Sequence, residues 1–233
     1  MRILINFFLV LSMFSTFMFS DAFALSIFKD NSKIIYCQDG ECSLDEWIDV
    51  VKRELKYLDK ETVGIYIGIA YCPTKCTYCS FPSYLKEGKH LERFDEYFNS
   101  LIHEIREVGK LVKKLNLGVN TIYIGGGTPS ILTKEEMDKM LETIAKNYDI
   151  DKLKEFTYEL GRIDTIDEEK LEVLKKWKVD RISINPQTMN DDTLKMIGRG
   201  HTSAQVIEKF NLARSMGFND INMDMIIGLP GEG

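Results

Sequence analysis

The sequence predicts an α/β fold of parallel strands, each joined to the next by a helix. Three observations carry this reading. Apolar, β-branched runs of strand length alternate with segments of helical periodicity, the links between them are short, and polar or glycine features recur just after the strands. Such units either close a barrel or form an open doubly wound sheet, and in both the site lies at the carboxyl ends of the strands.

The elements follow in order. SLDEWIDVVKRELKYL (43–58) spaces Leu44, Trp47, Ile48, Val51, Leu55 and Leu58 as one helical face, with Ser43 and Glu46 as a capping box. VGIYIGIA (63–70) is the first strand. A long helix over 91–115 puts Phe94, Phe98, Leu101, Ile105 and Leu111 on one side. NTIYIG (120–125) is the second strand, and the helix over 133–148 opens with the capping pair Thr133 and Glu136. EFTYEL (155–160) is the third strand, followed by a helix over 165–177. DRISIN (180–185) is the fourth, followed by a helix over 203–217 that ends at Gly217. DINMDMIIG (220–228) is the fifth strand. That makes five strands and four connecting helices after the first, with no internal repeat and no low-complexity linker.

At 233 residues the chain is long enough for one domain with a buried core. Its net charge of −6 and lack of a long basic run argue against non-specific nucleic-acid binding. Residues 1–42 stand apart from the core over 43–233. The first 28 carry Arg2, an apolar run and the small-x-small pattern Ala22–Phe23–Ala24. The run approaches the roughly 20 residues that span a bilayer. It reads as a signal peptide, an N-terminal anchor with membrane contact through 1–28, or a mis-set start. Cys37 and Cys42, in CQDGEC, read as free thiols near a turn.

The notable residues converge on one rim. The segment YCPTKCTYCSF follows the first strand, GGGTPS (125–130) the second and Gln187 the fourth. Glu159 ends the third strand and Asp224 lies within the fifth. Cys72, Cys76 and Cys79 are spaced C-x3-C-x2-C. That loop suits three corners of an iron–sulfur cube and leaves one iron open for a ligand. Zinc loops favour C-x2-C pairs and a fourth ligand, and His90, His103 and His201 are not spaced as a pair with this loop.

With Tyr78 as the aromatic before its last cysteine, the loop resembles the radical S-adenosylmethionine (SAM) signature. YIGIAYCPTKCTYCSFPSY, YIGGGTPS, YELGRIDTI, RISINPQTMNDDTLKMIGRGHT and NMDMIIGLPGE together resemble the oxygen-independent coproporphyrinogen III oxidase family over about residues 44–233. CPTKC, GRIDTI and NPQTMN are most similar to its HemZ-type branch. The resemblance implies a (β/α) TIM-like barrel of the radical SAM type, here with about five of its six strands. It implies a [4Fe–4S] cluster on Cys72, Cys76 and Cys79, and SAM contacts from Tyr66, Gly126, Gly127, Thr128, Glu159, Gln187, Arg199 and Asp224. Tyr78 matches a contact to a second SAM in some members.

The implied activity is that of a radical SAM oxidoreductase of porphyrin and haem biosynthesis, of the coproporphyrinogen dehydrogenase type. Reductive SAM cleavage would initiate oxidative decarboxylation of coproporphyrinogen III to protoporphyrinogen IX. The alternatives are a haem-binding chaperone of the same family and an inactive fragment. The implied partners are a tetrapyrrole and an electron donor such as a flavodoxin or ferredoxin, with no nucleic acid. A reducing, cytoplasmic setting suits such a cluster. Phe81 stands where decarboxylating members place a further cysteine, which the chaperone relatives also lack. The chain ends at GLPGEG, before a sixth strand and a substrate-covering domain of the family. The expectation is therefore an unpaired fifth strand and no turnover by this chain alone.

Overall fold

The computed structural model describes residues 62–232. The predicted helix over 43–58, the apolar run over 1–28, Cys37 and Cys42 lie outside the described residues. Among the described residues no helix is long and apolar enough to cross a membrane.

The chain runs β1 (Thr62–Ile69), β2 (Tyr71–Cys72), β3 (Tyr84–Leu85), α1 (Gly88–Glu92), α2 (Phe94–Lys114), β4 (Gly118–Gly126), α3 (Lys134–Asn147), β5 (Glu155–Glu159), α4 (Glu168–Lys176), β6 (Arg181–Ser183), α5 (Asp191–Met196), α6 (Ser203–Ser215) and β7 (Asp220–Asn222). Five strands form one sheet in the order β1-β4-β5-β6-β7, and every pairing is parallel. This is a partial (β/α) barrel, one of the two forms the alternation allows and the one the resemblance implies.

Strand alternation gives the sheet two faces of different chemistry. Ile67, Ile69, Ile122, Ile124, Phe156, Tyr158 and Ile182 are buried in the main core beneath the helices. Against them pack Ile102 and Ile105 from α2, Met137, Met140 and Leu141 from α3, and Leu171 and Leu174 from α4. The intervening residues line the other face. Its register aligns Tyr66, Tyr123 and Thr157 in one row, with Gly68 and Gly125 in the next, Glu159 paired to Ser183 and Ser183 to Asn222. Small and polar residues there leave room at the carboxyl end of the sheet.

The helices start where the sequence caps them. At α3 the Glu136 amide donates to Thr133 Oγ1 (3.2 Å) and the Thr133 amide to Glu136 Oε2 (2.8 Å). Asp167 caps α4, Asn190 caps α5, and Thr202 with Gln205 forms a second capping box at α6. The long helix starts at Phe94 rather than at 91, because Gly88–Glu92 forms a separate short helix.

The fifth strand corrects an expectation. The sequence predicts strand over 220–228, but the ladder stops at Asn222 and only the isolated bridge Gln187–Met225 lies beyond it. Asp224 therefore sits past the strand rather than within it. Its carboxylate accepts from Asn185 and Asn222, and Gln187 takes a positive φ of 67°, so the β6 and β7 chains turn together into the site.

Candidate functional site

The cysteine loop is held at both ends by backbone and aromatic contacts. β2 and β3 pair over two residues each, with the Tyr84 amide donating to the Ala70 carbonyl (2.8 Å) and the Lys86 amide to Cys72 (3.2 Å). Tyr71 is buried among Phe94, Tyr97 and Tyr84, with ring centroids 5.0, 5.0 and 6.1 Å away. The Tyr97 hydroxyl accepts from the Ala70 amide and donates to the Gly68 carbonyl, which clamps the chain as it leaves β1. Residues 73–83 thus leave and re-enter a fixed base.

Across from that base lies the glycine turn after β4. The Gly127 amide donates to the Ile69 carbonyl (2.7 Å) and the Thr128 amide to Tyr71 (2.8 Å). Gly126 has φ +108°, a conformation open to glycine, and a Cβ there would lie 2.6 Å from the Ile69 carbonyl oxygen. A Cβ on Gly127 would lie 2.6 Å from the Tyr71 carbonyl oxygen and 2.9 Å from Cys72 Sγ. The missing side chain is what gives that sulfur its space.

The three thiols are free, with Cys76 buried, Cys72 half-buried and Cys79 exposed. Thr128 Oγ1 donates to Cys72 Sγ at 3.3 Å. Arg162 Nη1 donates to Cys76 Sγ at 3.3 Å, and Arg199 Nη1 lies 3.9 Å from the same sulfur. Sulfurs offered donors and space have the chemistry of metal-bound thiolates. Among the described residues no three Cys, His, Asp or Glu side chains gather as they would around a single ion. A cubane asks for something different, since each of its cysteines holds a different iron. The loop fits that group.

Arg199 is buried, only 6% exposed. Its Nη2 donates to the carbonyls of Gly161 (2.8 Å) and Asn185 (2.5 Å), so it ties the loops after β5 and β6 to the cysteine loop. Burial pushes the Tyr78 hydroxyl well above its ordinary value; nearby Arg199 opposes the rise, and Cys76 adds to it.

A second cluster lies on the polar face. Tyr66 stacks on Tyr123 with centroids 5.8 Å apart, and the Tyr123 hydroxyl donates to Glu159 Oε1 at 2.5 Å. Burial pushes the Tyr66 hydroxyl up to about 12, with Glu159 adding to it. Burial also raises the Glu159 carboxyl; the Tyr123 hydrogen bond opposes that rise and Asp224 reinforces it. Ser183 Oγ is buried here with no hydrogen-bond partner. A ligand carrying polar groups would supply one. The Gln187 amide donates to the Asp224 carbonyl and its own carbonyl accepts from Ile226, so its contribution here is a backbone brace.

The structure thus brings Cys72, Gly126, Gly127 and Thr128 together, places Cys76 and Tyr78 with Arg199, and sets Tyr66, Glu159 and Asp224 along the polar face. Sequence reasoning missed Arg162, Tyr123, Ser183 and Asn185. Inward strand parity could have found both Tyr123 and Ser183: Tyr123 lies two residues before Gly125, and Ser183 is the residue paired to Glu159. Asn185, two residues further along, follows the same parity.

His201 is buried behind Arg199. Burial lowers its pKa to about 4, and Arg199 adds to the fall. The unfolded value is about 6.5. Between those values the unfolded chain binds the proton and the folded chain does not, so stability is lost as pH falls through that window and is unaffected above it. Urea midpoints at about pH 7 and about pH 5 should therefore fall further apart in the wild type than in His201→Leu. Equal drops in both proteins would refute this.

Comparison with known proteins agrees with this geometry. Residues 66–233 match the model of the radical SAM superfamily. The oxygen-independent coproporphyrinogen-III oxidase-like protein HemZ of Bacillus subtilis (strain 168) is 49% identical over 191 residues, 79% of this chain and 38% of that protein. The heme chaperone HemW of Lactococcus lactis is 40% identical over 169 residues, 72% of this chain and 41% of that protein. Among solved structures, coproporphyrinogen III oxidase (HemN) from Escherichia coli superposes with a TM-score of 0.63 at 22% identity, covering 81% of this chain and 41% of that one. That likeness is one of fold. The chain spans less than half the length of each of these relatives.

Proposed function

Because the chain belongs to the radical SAM superfamily, we propose that Cys72, Cys76 and Cys79 hold a [4Fe–4S] cluster and that SAM binds in the polar face beside them. One observation carries the reading: a three-thiol loop clamped against Gly126 and Gly127, with hydrogen-bond donors on two of its sulfurs. Gly126, Gly127 and Thr128 would let SAM approach the backbone. Tyr66 and Arg199 would position it, Gln187 through the turn its backbone braces, with Tyr78 in the cysteine loop beside it. Glu159 and Asp224 are the carboxylates that would accept its hydrogen bonds. When bound, the two groups supply one-electron chemistry strong enough to activate a C–H bond. The chain's own part is to bind, orient and keep water out.

The substrate in this reading is a tetrapyrrole, and the reaction is oxidative decarboxylation of coproporphyrinogen III to protoporphyrinogen IX within haem biosynthesis. The identity with HemZ supports it. A flavodoxin- or ferredoxin-class donor in the cytoplasm would supply the electron, with residues 1–28 as a membrane contact. A second reading, haem binding without decarboxylation, is supported by the HemW relatives and by Phe81 beside the loop. The test is an anaerobic assay of the reconstituted protein with dithionite, SAM and coproporphyrinogen III, beside a haem-binding titration. Vinyl product would support the decarboxylation reading. Stoichiometric haem binding with no product would favour the second reading, and failure to take up iron would overturn both.

A further inference from the structure

We propose that Arg162 is a positioning residue for the cluster: its guanidinium hydrogen-bonds the sulfur of Cys76 and raises the potential at which the cluster accepts an electron. The inference rests on the reading of Cys76 as an iron ligand. It starts from a mismatch in burial. Cys76 is 9% exposed and is the most enclosed of the three cysteines, so its thiolate has little water to stabilise it. A buried anion in that position needs a donor of its own.

Arg162 is built to be that donor. It is 3% exposed and sits in the loop after β5, 86 residues from the sulfur it meets. Asp164 fixes two edges of the guanidinium, accepting from Nε at 3.1 Å and from Nη2 at 3.1 Å. The remaining nitrogen, Nη1, points at Cys76 Sγ. The bidentate pair therefore does more than neutralise charge: it fixes the plane of the guanidinium so that the Nη1 side faces the sulfur. Arg199 is farther from the sulfur, at 3.9 Å, and its Nη2 is committed to two backbone carbonyls. Thr77 and Gly198 hold the loop in place, through the Thr77 amide to the Ile197 carbonyl (3.1 Å) and the close approach of Gly198 to Lys75. Arg162 is thus not needed as a tether for the loop.

Reduction of the cluster from the 2+ to the 1+ state adds one electron and breaks no bond. The added negative charge spreads onto the ligand sulfurs, so a fixed N–H donor favours the reduced form. Removing the donor should make the cluster harder to reduce.

The experiment is an EPR-monitored titration with dithionite of anaerobically reconstituted wild type, Arg162→Gln, Arg162→Lys and Lys113→Gln. Lys113 lies on the exposed face of α2 and controls for loss of one positive charge. We expect the reduction equilibrium of Arg162→Gln to move about tenfold toward the oxidised form, ~59 mV for one electron. Arg162→Lys should fall between it and wild type, and Lys113→Gln should match wild type. If Gln does not load, the Lys variant alone decides. Wild-type potential in the loaded Arg162 variants overturns this inference and leaves the cluster reading standing. A wild type that takes up no iron overturns both.

Discussion

Cys76→Ala will take the reconstituted chain from about four irons to none, and its visible sulfur-to-iron absorption with them. The size of the effect follows from where Cys76 sits. It is the middle ligand of the loop, and its sulfur is the one met by two guanidinium groups, from Arg162 and Arg199. Removing the sulfur removes one of only three protein ligands. It also leaves the free edge of Arg162, still paired to Asp164 on its other side, and the buried Arg199 facing an apolar methyl, which disfavours the folded loop in its own right. Neither Cys72 nor Cys79 can substitute, because Cys72 is bound into the β2–β3 pairing and Cys79 lies on the solvent side of the turn begun by Cys76. Cys37→Ser should load normally, which separates loss of a ligand from loss of any thiol. Iron and zinc analysis by mass spectrometry reads the outcome. Full iron in Cys76→Ala, or stoichiometric zinc with no iron in the wild type, would refute it.

Much of this arrangement is legible in the residues, and the parts that are not share a physical cause. The strand at 62–69 is visible because Ile65, Ile67 and Ile69 alternate with Gly64, Tyr66 and Gly68, a period set by the pleat itself. The start of α3 is visible because Thr133 and Glu136 cap it within four residues. Both signals are local. The pairing of β2 with β3 is not, because it depends on amides at Tyr84 and Lys86 meeting carbonyls more than ten residues earlier. The fifth strand misleads for a related reason. Met223, Met225 and Ile227 continue the alternation, yet Ile227 is 98% exposed and no neighbour among the described residues extends the ladder to it. Side-chain bonds from Asn185 and Asn222 to Asp224 take the chain away from strand geometry there.

The site shows the same division. The cysteine spacing and the glycine run are chemistry written in a few adjacent letters. Arg162 is a lone arginine in GRIDTI, and only the sheet order, with β4 between β1 and β5, brings the loops after β1 and β5 together so that it meets Cys76. Its partner Asp164 is legible afterwards as the second half of a two-residue fork, but nothing in the local pattern says that the free nitrogen has a sulfur to meet.

Gly127→Ala will cost about 3 kcal/mol of stability and most of the iron loading. Gly127 does not carry a positive φ, so an alanine could adopt its backbone without strain and space alone decides the outcome. The space is not there. The added Cβ would lie 2.6 Å from the Tyr71 carbonyl oxygen and 3.1 Å from that of Ile69, both backbone atoms in a paired region that cannot swing aside. The turn must move, and two hydrogen bonds move with it: Gly127 amide to Ile69 at 2.7 Å and Thr128 amide to Tyr71 at 2.8 Å. The third contact, 2.9 Å from Cys72 Sγ, turns a packing defect into a ligand defect, because the sulfur and its Thr128 donor are displaced together. Gly161→Ala is the matched control: its Cβ would meet only Asn185 Nδ2, at an ordinary 3.6 Å. Chemical denaturation of the cluster-free chains gives the stability difference, and iron content after reconstitution gives the second effect. If Gly127→Ala and Gly161→Ala behave alike in both measurements, the β4 glycine turn is not the wall of the cysteine loop.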